Sequence, residues 1–396
     1  MKSDKLWTKD FILALITSFF MAMVFFIAFT TFAGYALFTY EVNESLAGLT
    51  ASIFVFGAAC GRLYSGKNLE LIGRRKMLII SGFVFVIAGV AYSFAPNLPT
   101  FLIIRIIHGM AYGAFNTTIM AIVTNIIPVS RRGEGLGYFS LGFVVAIAIG
   151  PAIGMPFIEA FSYDGLLILI PGLAVLALIM AFTIKIEKPE FTEDEMASLR
   201  KKTSFFDMFE KKAIPAGCVI VLLSMCFTSI TSFLATYSVV ELDLPKAASF
   251  FFIVNGVAIL IVRPVAGRLF DTKGDNFVMY PSIIFFSASV FLLSFATTNF
   301  HLVLVAILMA LGYGNVLIMG QTIAINASPP QNVGKAIATY FVFCDLGQGT
   351  GPMLYGLIAT HDSFRTMYFV GGFVVAFTFF IYYILHGRKA KRKNAA

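Results

Sequence analysis

Two ionisable residues stand deep inside apolar runs: Arg105 within Phe101-Leu102-Ile103-Ile104-Arg105-Ile106-Ile107, and Asp345 within Tyr340-Phe341-Val342-Phe343-Cys344-Asp345-Leu346. A charge in surroundings of low dielectric is costly and needs a partner, a proton or a ligand. A carboxyl there suits reversible binding of a proton or a cationic group, and an arginine organises a cavity or meets an anion. A structural hydrogen bond to a neighbouring element is an equally open reading of both. Other chemistry finds little support. Cys60, Cys218, Cys226 and Cys344 form no C-x-x-C pair, and His108, His301, His361 and His386 are scattered. No metal site and no cofactor is expected from such spacing. No H-E-x-x-H, G-x-S-x-G or paired intramembrane carboxylate occurs, which leaves a lipid-modifying enzyme as a distant alternative. Gly133-Glu134-Gly135-Leu136-Gly137 and Gly347-Gln348-Gly349-Thr350-Gly351 mimic phosphate loops, but neither ends in Gly-Lys-[Ser/Thr].

The elements that carry these residues follow from composition. Of 396 residues 59% are hydrophobic and 13% charged, too little charge to cover a soluble surface of this size. A membrane span needs about 20 largely apolar residues. Candidates fall at 11–38, 46–65, 77–95, 100–126, 135–158 and 165–184, then at 214–238, 249–268, 277–297, 300–326, 335–360 and 366–385. The run 11–38 is too long for a signal peptide and is expected to remain as the first helix. The predicted class is therefore an all-α integral membrane protein of twelve transmembrane helices in two pseudo-symmetric six-helix bundles. Its divisions are 1–184 for the N-terminal bundle, 185–213 for a central loop, 214–386 for the C-terminal bundle and 387–396 for a basic tail. Asp345 then lies ten residues from one end of span eleven, at ~1.5 Å per residue about 15 Å deep.

The formal net charge of +8 is distributed by loop. Lysines and arginines crowd the N-terminus, residues 67–76, Arg131 and Arg132, the central loop and the tail, whereas the alternate loops hold only Lys246 and Arg365. By the positive-inside rule both termini and the central loop are cytoplasmic in a multi-pass cell-membrane protein. No soluble face exists for nucleic acid. Within the loop, Thr192-Glu193-Asp194-Glu195 has the capping-box form and predicts a short helix. The following Phe205-Phe206-Asp207-Met208-Phe209 either lies at the inner leaflet or is a solvated linker.

One constant offset superimposes the halves. The pattern R-x-x-x-G-x-x-x-[DE]-x-x-G is Arg62, Gly66, Glu70, Gly73 and again Arg263, Gly267, Asp271, Gly274, shifted by 201 residues. The same shift carries Tyr112-Gly113 onto Tyr313-Gly314, Asn125 onto Asn326, Gly133 onto Gly334 and Gly150-Pro151 onto Gly351-Pro352. Two repeats of six spans share one membrane orientation and are related by an axis along the membrane normal. The Gly-Pro pairs remove a helix hydrogen bond and reduce bulk, which predicts a bend and a close-packed seam.

On these residues the whole chain resembles the major facilitator superfamily, and most closely its twelve-span drug:proton antiporter branch. Gly66-Lys67-Asn68-Leu69-Glu70-Leu71-Ile72-Gly73-Arg74-Arg75 is similar to the family's loop signature, with Glu70 for the usual Asp and Leu71 for a basic residue. Arg105-Ile106-Ile107-His108-Gly109 is similar to its fourth-helix R-x-x-q-G. Gly137, Ala146, Gly150-Pro151 and Gly154-Met155 follow its antiporter pattern, which expects glycine in place of Ala146 and Met155. The resemblance implies that Glu70 meets the start of span eleven near Gly334 and Asp271 the start of span five near Gly133. Arg62 and Arg263 would bridge to these acids, with Arg74 part of the same gate; the other reading is a turn anchored by positive-inside residues. It further implies that Thr30, Thr31, Asn116, Thr117, Gln321 and Thr322 lie on cavity-lining helices, where they orient substrate or hydrogen-bond between helices. The first span's Phe19, Phe20, Phe25, Phe26, Phe29 and Phe32 either favour lipophilic cargo or, as the plainer expectation, face lipid.

The expected function is secondary active transport by alternating access: proton-coupled efflux of a small amphipathic or drug-like molecule, by a monomer. The nearest alternative is a metabolite uptake symporter or facilitator. A non-transporting receptor would need a larger sensory loop than this chain has.

Overall fold

The computed structural model describes residues 5–42, 44–186, 191–193, 195, 199, 205–244 and 247–388. Among them the secondary structure is helical, as apolar solvent requires, because only helices and closed barrels satisfy every backbone group without water. The helices are α1 (Lys9–Tyr40), α2 (Glu44–Ile72), α3 (Arg74–Ala91), α4 (Leu98–Ile126), α5 (Arg132–Thr183), α6 (Ile214–Val240), α7 (Ala247–Lys273), α8 (Asp275–Ser294), α9 (Asn299–Leu311), α10 (Tyr313–Ala327), α11 (Val333–His361) and α12 (Phe364–Tyr382). Nine stretches of the described residues are long and apolar enough to cross a membrane. The other three predicted spans, 46–65, 135–158 and 335–360, are helical as well, within α2, α5 and α11.

Local chemistry sets the ends. Thr8, Asn97, Thr298 and Ser363 each accept a hydrogen bond from the backbone N–H three residues on, capping α1, α4, α9 and α12. Gly73 (φ 92°) and Gly274 (φ 86°) turn the chain between α2 and α3 and between α7 and α8, in a conformation that side chains resist. They are the last glycines of the two repeated signatures. In the central loop Thr192 and Glu195 exchange the two capping-box bonds, Thr192 N to Glu195 Oε2 at 2.9 Å and Glu195 N to Thr192 Oγ1 at 3.3 Å. Most of the helix predicted to follow, and nearly all of the basic tail, lies outside the described residues.

One break falls between predicted spans and one divides a predicted span. Within α5, Ser162 (φ 59°, ψ −174°) is non-helical and kinks the chain between the predicted spans five and six, whereas Gly150 and Pro151 stay within the helix before it. Span ten divides at Gly312 into α9 and α10. A Cβ on Gly312 would lie 2.5 Å from the backbone N of Phe286, so α8 approaches too closely for any larger residue.

The chain forms two compact units that do not coincide with its halves. The first comprises residues 1–128, 142–210 and 329–339; the second comprises 129–141, 211–328 and 340–396. In the first, α2 and α4 pack at backbone distance. A Cβ on Gly57, Gly61, Gly109 or Gly113 would collide with the carbonyl oxygen of Ile106, Met110, Phe54 or Ala58 respectively. Such small-residue seams replace the hydrophobic drive that lipid withholds. Gly150 and Gly154 do the same against α1, where Cβ atoms would meet Phe26 Cβ at 2.8 Å and Thr31 Cγ2 at 3.3 Å. In the second unit, Gly347 and Gly351 of α11 lie on the carbonyls of Val221 and Met225 in α6. Asn255 Nδ2 joins α7 to α9 through Ala306 O at 2.8 Å, and Ser287 Oγ joins α8 to α12 through Gly372 O at 3.1 Å.

Gly113→Leu is expected to force α2 and α4 apart and to cost about 1–3 kcal/mol or more, as overpacking does. Thermal unfolding of the purified protein in detergent should show a lowered midpoint, whereas Ile103→Leu on the exposed face of α4 should leave it in place.

Candidate functional site

The repeated signature places its second copy in the second unit, where the end of α7 lies along the start of α5. Gly267 allows the approach: a Cβ there would stand 2.6 Å from Gly133 O and 2.7 Å from Glu134 Cα. The first N–H groups of α5 have no partner within their own helix, and Asp271 supplies one. Its Oδ1 accepts from Gly133 N and its Oδ2 from Glu134 N, both at 2.8 Å. A carboxylate at a helix N-terminus is also favoured by the helix dipole. Glu134 is in turn held by Arg131 Nε and Arg268 Nε, each at 2.7 Å, with its own side chain 4% exposed. Burial alone would raise its pKa, but the two guanidinium hydrogen bonds and charges outweigh this and hold the carboxyl below its ordinary value. Arg132 Nη1 donates to Asn326 Oδ1 at 2.6 Å.

Arg263 is placed otherwise than the resemblance implies. It does not bridge to Asp271: its Nε donates to Gly314 O at 3.1 Å and its Nη1 to Ser140 Oγ at 2.9 Å. It lies eight residues before Asp271, and from that distance it ties α7 to α10 and to the third turn of α5 instead.

The first copy lies in the first unit and is built differently. Gly66 meets the start of α11, its notional Cβ 2.5 Å from Ala338 Cβ and 2.8 Å from Gly334 O, while Leu69 packs on Gly334. Glu70 makes no hydrogen bond to α11 among the described residues; Arg74 Nε takes its carboxylate at 2.9 Å and Arg74 Nη1 reaches Ala121 O at 3.4 Å. Arg62 is buried. Arg75 caps the end of α5 through Ile184 O and Phe182 O, each at 2.7 Å. The residues matching Glu134 and Arg268 by the 201-residue shift are Lys335 and Lys67, two cations, so the ion pair of the second copy has no counterpart.

Arg105 is 1% exposed in the first unit. Its Nε donates to Thr50 O at 2.8 Å, and its guanidinium lies 4.4 Å from the ring centroid of Phe54 and 5.3 Å from that of Phe32. Cation–π contact is strong when desolvated. Nη1 has no hydrogen-bond partner among the described residues. One turn on, His108 Nδ1 and Tyr92 Oη are 3.0 Å apart. Phe25 stacks on Tyr112 at 5.2 Å and Phe32 is fully buried, so these two turn inward; of the first span's named phenylalanines Phe29 is exposed. Their expected lipid-facing role therefore holds for only part of the set, because Phe32 lies on the Arg105 guanidinium and Phe25 stacks on Tyr112.

Asp345 is half-buried on α11 in the second unit. Its neighbour Cys344 lies 3.3 Å from Ser224 Oγ and 3.2 Å from Gln348 Nε2. Ser224 Oγ is 3.1 Å from Tyr313 Oη, and Tyr313 stacks on Phe227 at 4.0 Å. No local sequence pattern marks this polar cluster beyond the repeat of Tyr112-Gly113 at Tyr313-Gly314. Thr30, Thr31 and Thr322 donate to Phe26 O, Ile27 O and Ile318 O of their own helices at 2.9, 2.7 and 2.9 Å. Asn116 is buried, and Thr117 Oγ1 and both amide atoms of Gln321 have no hydrogen-bond partner among the described residues. Buried polar atoms without partners are rare and call for a ligand, water or a second conformation. Thr30, Thr31, Arg105, Asn116 and Thr117 belong to the first unit, and Gln321, Thr322 and Asp345 to the second.

The family model described as Major Facilitator Superfamily matches residues 14–299 and 273–396. The chain belongs to the Major Facilitator Superfamily. It is thus a multi-pass membrane transporter of small molecules and not an enzyme. Similar proteins of this superfamily include the multidrug resistance protein MdtG of Rahnella sp. (strain Y9602), 27% identical over 348 residues that cover 85% of this chain and 83% of the relative. MdtG of Escherichia coli (strain K12 / DH10B) is 25% identical over 338 residues, covering 84% and 82%. The crystal structure of the human organic anion transporter MFSD10 (TETRAN) shares the superfamily fold, with a TM-score of 0.75 at 14% identity, covering 95% of this chain and 100% of that one.

The Glu134 ion pairs make a pH prediction. A carboxyl held below its ordinary value stabilises the folded state above that value, and the contribution disappears as pH falls through the lower, folded-state value. Wild type should therefore be more stable than Glu134→Gln at neutral pH by up to about 1.5–3 kcal/mol, the worth of hydrogen bonds to a charged group, and should unfold at a higher temperature. In thermal scans across acid pH the two curves should converge.

Proposed function

We propose that this transporter is a secondary exporter, exchanging protons for a small amphipathic, drug-like molecule by alternating access. The observation that carries the reading is the carboxylate of Asp271 on the free N–H groups of Gly133 and Glu134. That contact can be made and broken as a unit, since a charged acceptor on a helix terminus is directional and of short range. Arg131 and Arg268 on Glu134 strengthen it, whereas the matching positions of the other copy, Lys67 and Lys335, are both cations and form no such ion pair. The gate at α5 and α7 is then the tighter one, and its release favours the inward-facing state. Gly150-Pro151, Gly154 and Gly351-Pro352 belong to helices whose close seams let them rock rather than separate.

In this reading Asp345 carries the coupling proton, and Arg105 ties α4 to α2 and rigidifies that pair. Thr117 in the first unit and Gln321 in the second each hold polar atoms with no hydrogen-bond partner among the described residues, and each suits contact with cargo. The drug class is supported by the likeness to the multidrug resistance protein MdtG and by the antiporter-type motifs. Both termini are cytoplasmic by the cation bias, and the working form is a monomer with no cofactor.

The test is transport in proteoliposomes with an imposed pH gradient, screening lipophilic cations, antibiotics, sugars and amino acids. Wild type should move a lipophilic compound against its gradient. Asp345→Asn should abolish accumulation driven by the pH gradient while leaving downhill counterflow. Full gradient-driven transport by that variant would remove Asp345 from coupling.

A further inference from the structure

A second polar feature lies away from the transport machinery. In the second unit a groove of about 370 Å³ opens between the end of α8 and the start of α12, lined by Ser294, Phe295, Arg365, Thr366 and Phe369. Arg365 is one of two cations in the loops that are otherwise free of them. Its side chain is 40% exposed, with Nη2 on Ala296 O at 3.2 Å and Nε 3.7 Å from Glu241 Oε2. Nη1 has no hydrogen bond among the described residues. Thr366 Oγ1 accepts from Ser363 Oγ at 3.0 Å, which leaves its own hydroxyl hydrogen for an outside acceptor. The mouth thus holds two converging donors and one positive charge.

The wall below is aromatic. Phe295 is 63% exposed, Phe369 40% and Phe373 57%. Phe369 has its ring 6.0 Å from Phe295 and 5.2 Å from Phe373, so the strip continues one helical turn into the span. Arg365 stands in the first turn of α12, where a membrane helix passes from headgroups to hydrocarbon. A soluble partner reaches the mouth but not the strip, whereas a lipid reaches both.

We propose that this groove holds one phospholipid of the adjoining leaflet, its phosphate on Arg365 Nη1 and the Thr366 hydroxyl and an acyl chain along Phe369 and Phe373. Arginine and hydroxyl donors are the usual recognition elements for a phosphate oxygen. Glu241 beside the guanidinium brings the local charge close to zero, so a zwitterionic headgroup fits better than one with net negative charge. The positive-inside bias assigns this end of α8 and α12 to the outer leaflet.

Native mass spectrometry of the delipidated full chain in detergent tests this, titrating palmitoyl-oleoyl phosphatidylethanolamine, the matching phosphatidylglycerol and the matching diacylglycerol. Wild type should retain phosphatidylethanolamine best and diacylglycerol least. Arg365→Gln should weaken phosphatidylethanolamine binding about tenfold or more, the loss of one charge-assisted hydrogen bond. Thr366→Val and Phe369→Ala, which leave the Arg365 contacts to Ala296 and Glu241 in place, should each weaken it several-fold, and Phe380→Ala, exposed further along α12, should not. The proposal is overturned by wild-type binding in both Arg365→Gln and Thr366→Val, by preference for phosphatidylglycerol, by equal retention of diacylglycerol, or by an equal effect of Phe380→Ala.

Discussion

Hydrocarbon supplies neither hydrogen bonds nor a hydrophobic drive between helices, and every feature of this protein answers one of those two lacks. The backbone is satisfied within helices, the shortest of 13 residues and α1 of 32, and several of their ends are capped by side chains at the loops. Association then depends on how closely two backbones can approach. Glycine decides that, at Gly57, Gly61, Gly109 and Gly113 in one unit and at Gly347 and Gly351 in the other. Where a helix end lacks an internal partner, a charged side chain from another helix supplies it, as Asp271 does for α5 and Arg75 for the end of the same helix.

Buried charge follows the same economy of partners. Arg105 is compatible with an apolar interior because a carbonyl oxygen and two aromatic faces receive it, not because a carboxylate neutralises it. Glu134 is compatible with burial because two guanidinium groups do neutralise it. The first arrangement is rigid and tied to the backbone; the second can be released by moving one helix end. That physical difference supports a structural part for Arg105 and a switching part for the Glu134–Asp271 corner.

Duplication left the two halves alike in backbone and unlike in charge. The same turn geometry recurs at Gly73 and Gly274, and the same close approach at Gly66 and Gly267. Glu134 and Arg268 face Lys335 and Lys67 in the register, so an ion pair in one copy corresponds to two cations in the other. Backbone spacing is dictated by glycine and survives divergence, whereas surface charge at a helix end changes by single substitutions without disturbing the helix.

Hydropathy and period alone determined the helical class, the number of spans and the repeat, because a run of about 20 apolar residues has only one stable form in lipid. The glycines of the signature were legible for the same reason: their spacing is a backbone property. What tertiary structure decided was partner choice. Arg263 turned to Gly314 and Ser140, Glu70 to Arg74, and Phe25 and Phe32 to the interior, since a side chain on a helix can face any of several neighbours and the sequence lists them all equally. The break at Gly312, the Ser224–Tyr313–Cys344 cluster and the division of α5 and α11 between two compact units also depend on which helices pack together. Such contacts join residues far apart in the chain, and no local pattern records them.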